Sequence, residues 1–167
     1  MKNNYKSIIF LLIVFSVVGL LWAVALNYIS TTSKKDKKMT ITKLTPNLMV
    51  KDVNKTIEFY ENMLDFKMVI SVPDTGSYDF AILSKDGIEL MIQKRESFVS
   101  EIPQMCDSII GGSFSLYIDV DDIDAIYKKV KGNCEILSDM HDTFYGTKEF
   151  SCKEINGYIL TFSESVE

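Results

Sequence analysis

Two side chains of this 167-residue chain are suited to acid–base chemistry. Glu89 lies in the run Ile88–Lys94, which predicts a strand, and its carboxylate can accept hydrogen bonds from a cationic or amide-bearing ligand. It can also act as a base if burial raises its pKa. His141 is the only histidine, and because an imidazole titrates near neutral pH it is a second candidate for an acid–base role. The competing interpretations are an exposed strand carboxylate and a surface-loop histidine.

Polar residues alternate with apolar ones along several predicted strands. Because successive strand side chains point to opposite faces, the alternation places a polar set on the sheet faces away from the predicted helices. The rings of Tyr117 and Tyr145 can stack on a flat ligand or hold a cation over a ring face. Phe144 and Tyr158 could belong to the same aromatic wall, and the competing interpretation for these two is core packing. A sheet with one solvated face gives the same alternation. The residues predicted to bind a ligand are Thr45, Asn47, Glu89, Gln93, Ser115, Tyr117, Tyr145 and Thr161.

The elements that position these residues occur twice. Val50-Lys51-Asp52-Val53 closes a predicted strand and opens a helix, and Val120-Asp121-Asp122-Ile123 does the same 70 positions later. The tight-turn signals Asp86-Gly87 and Asn156-Gly157 are also offset by 70 positions. Two local signals that keep one spacing predict a duplicated supersecondary unit.

Each half reads as strand–helix–strand–strand–strand, which predicts an α+β fold. Apolar stripes at helical spacing begin at Val53 and at Ile123, and Asp52 is placed to cap the first helix. Residues 95–112 are predicted to be an irregular connection between the halves. The predicted strands span residues 40–50, 66–72, 77–83, 88–94, 113–120, 134–137, 145–153 and 158–163.

With this βαβββ unit present twice, the chain resembles the vicinal oxygen chelate superfamily. That group includes glyoxalase I, extradiol dioxygenases, fosfomycin-resistance transferases and bleomycin-resistance binding proteins. The likeness covers residues 40–164 and implies two cupped mixed sheets, as in the glyoxalase/bleomycin-resistance-like fold, that enclose a ligand site. The runs that carry it are Leu48–Val53 through Phe59-Tyr60, Leu116–Asp122, and Phe144–Phe150 through Asn156-Gly157-Tyr158.

The resemblance also implies where the metal ligands of the family's enzymes would fall. The two histidine positions are occupied by Thr45 and Ser115, and one glutamate position by Thr161. The fourth position falls on Glu89 or Met91. A divalent site needs three or four His, Cys or carboxylate groups, so we expect no protein-held metal and no cofactor.

The first 38 residues differ from the rest. The run 8–26 has no charge, and its 19 residues approach the length of a bilayer-spanning helix. Residues 1–28 are therefore predicted to be a single-pass membrane anchor, residues 29–38 a polar basic linker, and residues 39–167 the globular domain. A cleaved signal peptide is the alternative, because Ala23-Val24-Ala25 resembles a cleavage site. Met39 could also serve as an alternative start.

Charge and cysteine content indicate which partners the domain can bind and which cellular compartment suits it. Residues 1–38 carry a net charge of +5 and the remainder −10, so the acidic domain is a poor candidate for nucleic acid binding. Four lysines follow the apolar run, which favours a cytoplasmic position for the domain. The three cysteines are odd in number and widely spaced, which suits a reducing compartment.

The function expected from these observations is non-catalytic binding of a small organic molecule between the paired βαβββ units. The bleomycin-resistance branch is the nearest functional analogy, and its pockets form across a homodimer, so the resemblance implies dimerisation. One alternative is a lyase, dioxygenase or transferase that uses a divalent metal, or Glu89 or His141 as a base. The other is a sensor or partner-binding module.

Overall fold

Two four-stranded sheets follow one another along the chain. The computed structural model describes residues 39–166, of which those from Lys43 onward form one compact unit. The first half contains β1 (Asn47–Val50), β2 (Lys67–Val72), β3 (Phe80–Lys85) and β4 (Ile88–Lys94). The second half contains β5 (Ser115–Asp119), β6 (Glu135–Asp142), β7 (Thr147–Lys153) and β8 (Ile159–Ser165). The helices are α1 (Val53–Leu64), α2 (Arg95–Glu101) and α3 (Ile123–Val130), with a 3-10 turn at Pro103–Met105.

The two sheets have the same strand order, which confirms the predicted duplication. They run β1-β4-β3-β2 and β5-β8-β7-β6. In each, the first strand pairs in parallel with the fourth, and the other pairs are antiparallel, so both sheets are mixed. The crossover from the first strand is made by α1 in one half and α3 in the other, as parallel pairing requires.

Both crossover helices begin directly after a capping aspartate, at Asp52 as predicted and at the equivalent Asp122. Asp52 Oδ1 accepts the Lys55 amide at 3.0 Å, and Asp122 Oδ1 accepts the Ala125 amide at 2.9 Å. Each carboxylate satisfies a first-turn amide that has no partner within its helix. The two helices therefore start at equivalent places and cover the same face of each sheet.

The helix-facing side of each sheet supplies the core. Alternate residues of both sheets are fully buried there, among them Leu83 in the first and Phe150 in the second. One hydrophobic cluster includes residues of both halves. Polar contacts also join the halves: the Tyr158 hydroxyl donates to the Met49 carbonyl at 2.9 Å, and Lys129 Nζ lies 2.7 Å from Asp65 Oδ2.

Four sequence expectations need correction. The predicted strand 40–50 begins only at Asn47, because Pro46 has no amide to donate, although its carbonyl accepts the Met91 amide at 2.9 Å. The connection 95–112 is not wholly irregular, since α2 and the 3-10 turn lie within it. The strand predicted over 134–137 extends to Asp142, so His141 lies in β6 and not in a loop. Phe144, for which core packing was the competing interpretation, is 99% exposed.

The predicted anchor lies outside the described residues. Within residues 39–166, no helix is long and apolar enough to cross a membrane.

Candidate functional site

A polar surface covers the second sheet on the side turned away from α3, which we call the second cup face. It is built by alternate residues of β5, β8 and β7, whose registers place Tyr117 beside Thr161 and Glu149 beside Ser163. β6 adds His141 opposite Glu149. Strand periodicity thus collects hydroxyls, a carboxylate and an imidazole on one face.

The carboxylate of Glu149 is the centre of this face. Its Oε1 accepts three hydroxyl hydrogen bonds: from Tyr117 at 2.5 Å, from Thr147 at 2.7 Å and from Tyr145 at 3.0 Å. Glu149 is only 7% exposed, whereas Tyr117 and Tyr145 are 54% and 57% exposed. All three donors go to one oxygen, so Oε2 keeps its acceptor capacity for a ligand.

These contacts keep Glu149 ionised. The hydrogen bond from Tyr117 lowers the pKa of the Glu149 carboxyl, burial opposes this, and the bonds from Thr147 and Tyr145 with the charge of His141 lower it further. The net direction is down, so the group is a carboxylate at neutral pH. In turn, the hydrogen bond to this carboxylate is the main cause of the raised pKa of Tyr145, whose phenol therefore stays protonated and donating.

Ser163 supplies a second polar group beside Glu149. It is almost completely buried, and its hydroxyl has no hydrogen-bond partner among residues 39–166. It pairs with Glu149 on one side and with Asp119 on the other. A buried hydroxyl without a partner carries a desolvation cost that a ligand group can relieve.

The remaining predicted residues of the second half have lesser roles here. Thr161 shares a 2.9 Å hydrogen bond with Ser151, and Ser115 is exposed at the start of β5. His141 is exposed, and its Nδ1 lies 2.9 Å from the Asp139 carbonyl. Tyr158 is in the core, as its competing interpretation held.

The predicted residues of the first half do not join this cluster. Gln93 is buried, and its Nε2 donates to Ser97 Oγ at 3.0 Å and Glu101 Oε1 at 2.9 Å, both in α2. Its Oε1 accepts Asn47 Nδ2 at 2.8 Å. Gln93 therefore holds α2 to the first sheet and has little capacity left for a ligand. Asn47 Oδ1, in contrast, is buried without a hydrogen-bond partner among residues 39–166. Glu89 forms an ion pair with Lys43 at 2.5 Å.

Glu149, Thr147 and Ser163 were missed from the sequence. The signal was present in the predicted strand 145–153, where Tyr145, Thr147 and Glu149 alternate and so share one face. Ser163 is two positions after Thr161, which was already placed on that face.

The positions at which the family's enzymes hold a metal do not suit one here. Thr45, Ser115 and Thr161 offer only hydroxyls, Thr161 is bonded to Ser151, and the remaining carboxylate, Glu89, is paired with Lys43. Within the described part of the chain, no group of three His, Cys, Asp or Glu residues is arranged to hold a metal ion. The donor set at these positions is thus unsuited to a divalent cation.

Comparisons with known proteins identify the family to which this architecture belongs. The family model described as glyoxalase/bleomycin resistance protein/dioxygenase superfamily matches residues 40–162. A search of curated proteins finds no match.

Several solved structures share the fold. TioX from Micromonospora sp. ML1 superposes with a TM-score of 0.61 at 16% identity, over 75% of this chain and 100% of TioX. A glyoxalase/bleomycin resistance protein/dioxygenase from Nocardioides gives 0.58 at 17% identity, over 86% and 94% of the two chains. A family enzyme from Burkholderia phytofirmans PsJN gives 0.62 at 14% identity, over 73% and 97%. At these identities the likeness concerns the fold alone.

Proposed function

Because the chain belongs to the glyoxalase/bleomycin resistance protein/dioxygenase superfamily, we propose that it binds a small organic molecule on its second cup face, without a metal at the family's ligand positions. The observation that carries the proposal is the Glu149 carboxylate. It is buried and ionised, and one of its two oxygens, Oε1, accepts hydrogen bonds from three hydroxyls. A protonated amine or an amide N–H of the ligand would bond the other oxygen.

The surrounding groups favour a flat ligand. The rings of Tyr117 and Tyr145 flank Glu149 and are more than half exposed, so they offer apolar surface to an aromatic or heterocyclic body. The buried Ser163 hydroxyl lies in register with Glu149 and would gain a partner. The arrangement thus combines stacking surface with a fixed acceptor, as small-molecule sites commonly do.

Binding is favoured over proton abstraction by the state of the acidic groups. A general base works best when its pKa lies near the working pH, and that of Glu149 is displaced downward. Glu89 is engaged by Lys43, and His141 is exposed on β6. No observation favours a catalytic role for either of these two residues.

The test is a thermal-shift screen of the full chain against aromatic amines, their neutral analogues and aromatic acids. Ligands that stabilise it are then titrated against Glu149→Gln and Tyr117→Phe. We expect Glu149→Gln to weaken amine binding about tenfold, the loss of one charged hydrogen bond.

Tyr127→Phe is the matched control, because the Tyr127 hydroxyl also donates to a carboxylate, Asp139 at 2.8 Å, outside this face. Equal affinity of the native chain and Glu149→Gln would overturn the proposal. A screen without any stabilising ligand, together with a co-purified protein, would instead favour a partner-binding module.

The proposal includes tethering of the domain to a membrane by residues 8–26 and self-association as a homodimer. The uncharged run and the lysines that follow it support the tether. Alkaline extraction of membranes that contain the full chain should leave it in the pellet, while a chain begun at Met39 should be released. Sedimentation of the full chain in detergent tests the dimer.

A further inference from the structure

A cavity lies where the two halves meet, and Tyr117 of the second cup face contributes to its lining. It is a groove of about 610 Å³ between the β3–β4 hairpin of the first half and β5 with α3 of the second half. Its walls combine helix-facing residues of the strands with residues of α1, α3 and the adjoining turns, and Glu149, Thr161 and Ser163 do not line it. We call it the seam groove.

The floor of the seam groove is apolar. Its volume lies within the range of about 300–1,000 Å³ typical of small-molecule pockets. Aromatic and aliphatic side chains come from both halves, so the groove exists only where the halves meet. These side chains include Tyr60, Leu64, Phe66, Leu116, Ile118 and Phe162.

The rim of the seam groove is strongly acidic. One lysine, Lys85, lines it, and its Nζ lies 3.3 Å from Asp86 Oδ2. Asp122 caps α3. The carboxylates of the rim are Asp86, Glu89, Asp119, Asp121 and Asp122. Glu89 is paired with Lys43, and the rim carboxylates still outnumber the two lysines Lys43 and Lys85.

An anion or a neutral apolar molecule would meet an excess of negative charge at this rim. A cation with an apolar body matches both features, because the body removes the apolar floor from water while the charge lies among the carboxylates. We propose that the seam groove is a binding site for a small organic cation, an amine-bearing molecule with an aromatic or aliphatic body. This inference uses neither Glu149 nor Ser163, and Tyr117 is the residue of their cluster that also lines the seam groove.

The probe is dansylcadaverine, which joins an apolar fluorescent ring system to a primary ammonium group. Its N-acetyl derivative keeps the body and removes the charge. We expect saturable fluorescence enhancement with the full chain in detergent, after subtraction of the signal from detergent alone. The acetylated probe should bind about tenfold more weakly.

Two variants locate the binding. The double variant Glu89→Gln/Asp121→Asn neutralises one rim carboxylate from each half and should weaken dansylcadaverine about tenfold. Its charge-matched control, Glu58→Gln/Asp74→Asn, changes two exposed carboxylates outside the groove and should leave affinity unchanged. Ala125→Trp places a large ring in the groove from an exposed position of α3 and should abolish saturation. Lys128→Trp on the same helix, outside the lining, is its control.

Several results would overturn the inference. Equal affinity for the charged and acetylated probes would show that the rim carboxylates do not contribute and that the groove binds apolar molecules regardless of charge. Unchanged binding by Ala125→Trp would place the probe elsewhere. Loss of binding in Glu149→Gln, with full binding in the rim variant, would assign the cation to the second cup face, which separates the two proposals.

Discussion

The two halves of this protein share one backbone plan but differ on their cup faces, which are the sides of the two sheets turned away from α1 (the first cup face) and from α3 (the second cup face). In the first sheet the central positions of that face are largely apolar, and in the second they are polar. Because the registers of the two sheets correspond, the positions can be compared directly. The matched cross-strand pairs are Phe80–Gln93 and Ile82–Met91 in the first sheet, and Glu149–Ser163 and Ser151–Thr161 in the second.

The difference shows which face of a duplicated unit is free to change. The helix-facing sides are apolar and buried in both halves, since each must exclude water under its helix. The cup faces carry no such requirement. The first is partly occupied by α2, which Gln93 holds in place, while the second keeps two tyrosine rings more than half exposed around Glu149. A ligand site therefore needs only one of the two faces.

The largest effect should come from the helix-facing sides, where the halves are alike. Leu83→Ala in the first sheet and Phe150→Ala in the second each remove a fully buried side chain from the shared core. Both should lower the free energy of unfolding by about 3 kcal/mol or more, measured by urea denaturation. Each variant should still unfold in one transition, because the cluster includes both halves.

Phe144→Ala is the control for Phe150→Ala, because Phe144 is 99% exposed. It should change stability by less than about 0.5 kcal/mol. Two separate transitions in either core variant would contradict the single core and would mean that the halves fold independently.

The parts of the fold predicted from sequence were those fixed by local signals. The Asp52 cap, the start of the second crossover helix and the Asp86-Gly87 hairpin were placed correctly. The Asp52 carboxylate acts on an amide three residues away, and Gly87 adopts a positive φ of 82°. Helix α2 was missed because only Phe98 among its seven residues is buried, which leaves no apolar stripe. Its position depends instead on the hydrogen bonds from Gln93, whose partners the sequence does not reveal.

Of the residues clustered around Glu149, the sequence analysis had named Tyr117 and Tyr145 but not Glu149 itself, Thr147 or Ser163. Alternation placed Tyr117 on the polar face of its strand, and Tyr145 was chosen for its ring. Their meeting at one oxygen of Glu149 depends on register, because Tyr117 and Glu149 are 32 positions apart and on strands that are not neighbours. Glu89 and Gln93 were assigned to the same ligand set by the same rule, yet tertiary contacts with Lys43 and α2 engage them.

The next effect concerns Gln93 on the first cup face. Gln93→Ala should lower the free energy of unfolding by about 1–3 kcal/mol, because it removes a buried amide and leaves Asn47 and Glu101 without their partner. Amide exchange of α2 should accelerate more than that of α3. Lys67→Ala, on the exposed edge strand β2, serves as the control. Equal exchange of α2 in the variant and the native chain would remove Gln93 as the residue that holds this helix.

A smaller effect distinguishes two buried carboxylates of the second half by pH. The pKa of Glu149 is lowered, mainly by Tyr117, so its stabilising effect is present above the unfolded value of about 4.3 and is lost as pH falls through the folded value. Burial raises the pKa of Glu154, so its contribution is complete below that unfolded value and is lost as pH rises through the folded one.

The measurement is the free energy of unfolding from pH 3 to 7 for the native chain, Glu149→Gln and Glu154→Gln. The difference between the native chain and Glu149→Gln should grow with rising pH, and that for Glu154→Gln should change in the opposite direction. Glu58→Gln, at an exposed helix position, is the control variant. Slopes of the same sign for Glu149 and Glu154 would contradict the opposite electrostatic environments of the two carboxylates.

The smallest effect is expected at Ser163, the residue that matches Gln93 in register. Because its buried hydroxyl has no partner among the described residues, Ser163→Ala should leave stability unchanged or raise it slightly, in contrast to Gln93→Ala. Ser151→Ala is the control, since the Ser151 hydroxyl shares a hydrogen bond with Thr161 and its loss should cost about 1 kcal/mol. If Ser163→Ala costs as much as Gln93→Ala, the hydroxyl is part of the fold. A neutral Ser163→Ala that nevertheless weakens ligands found in the thermal-shift screen would place that hydroxyl in the binding site.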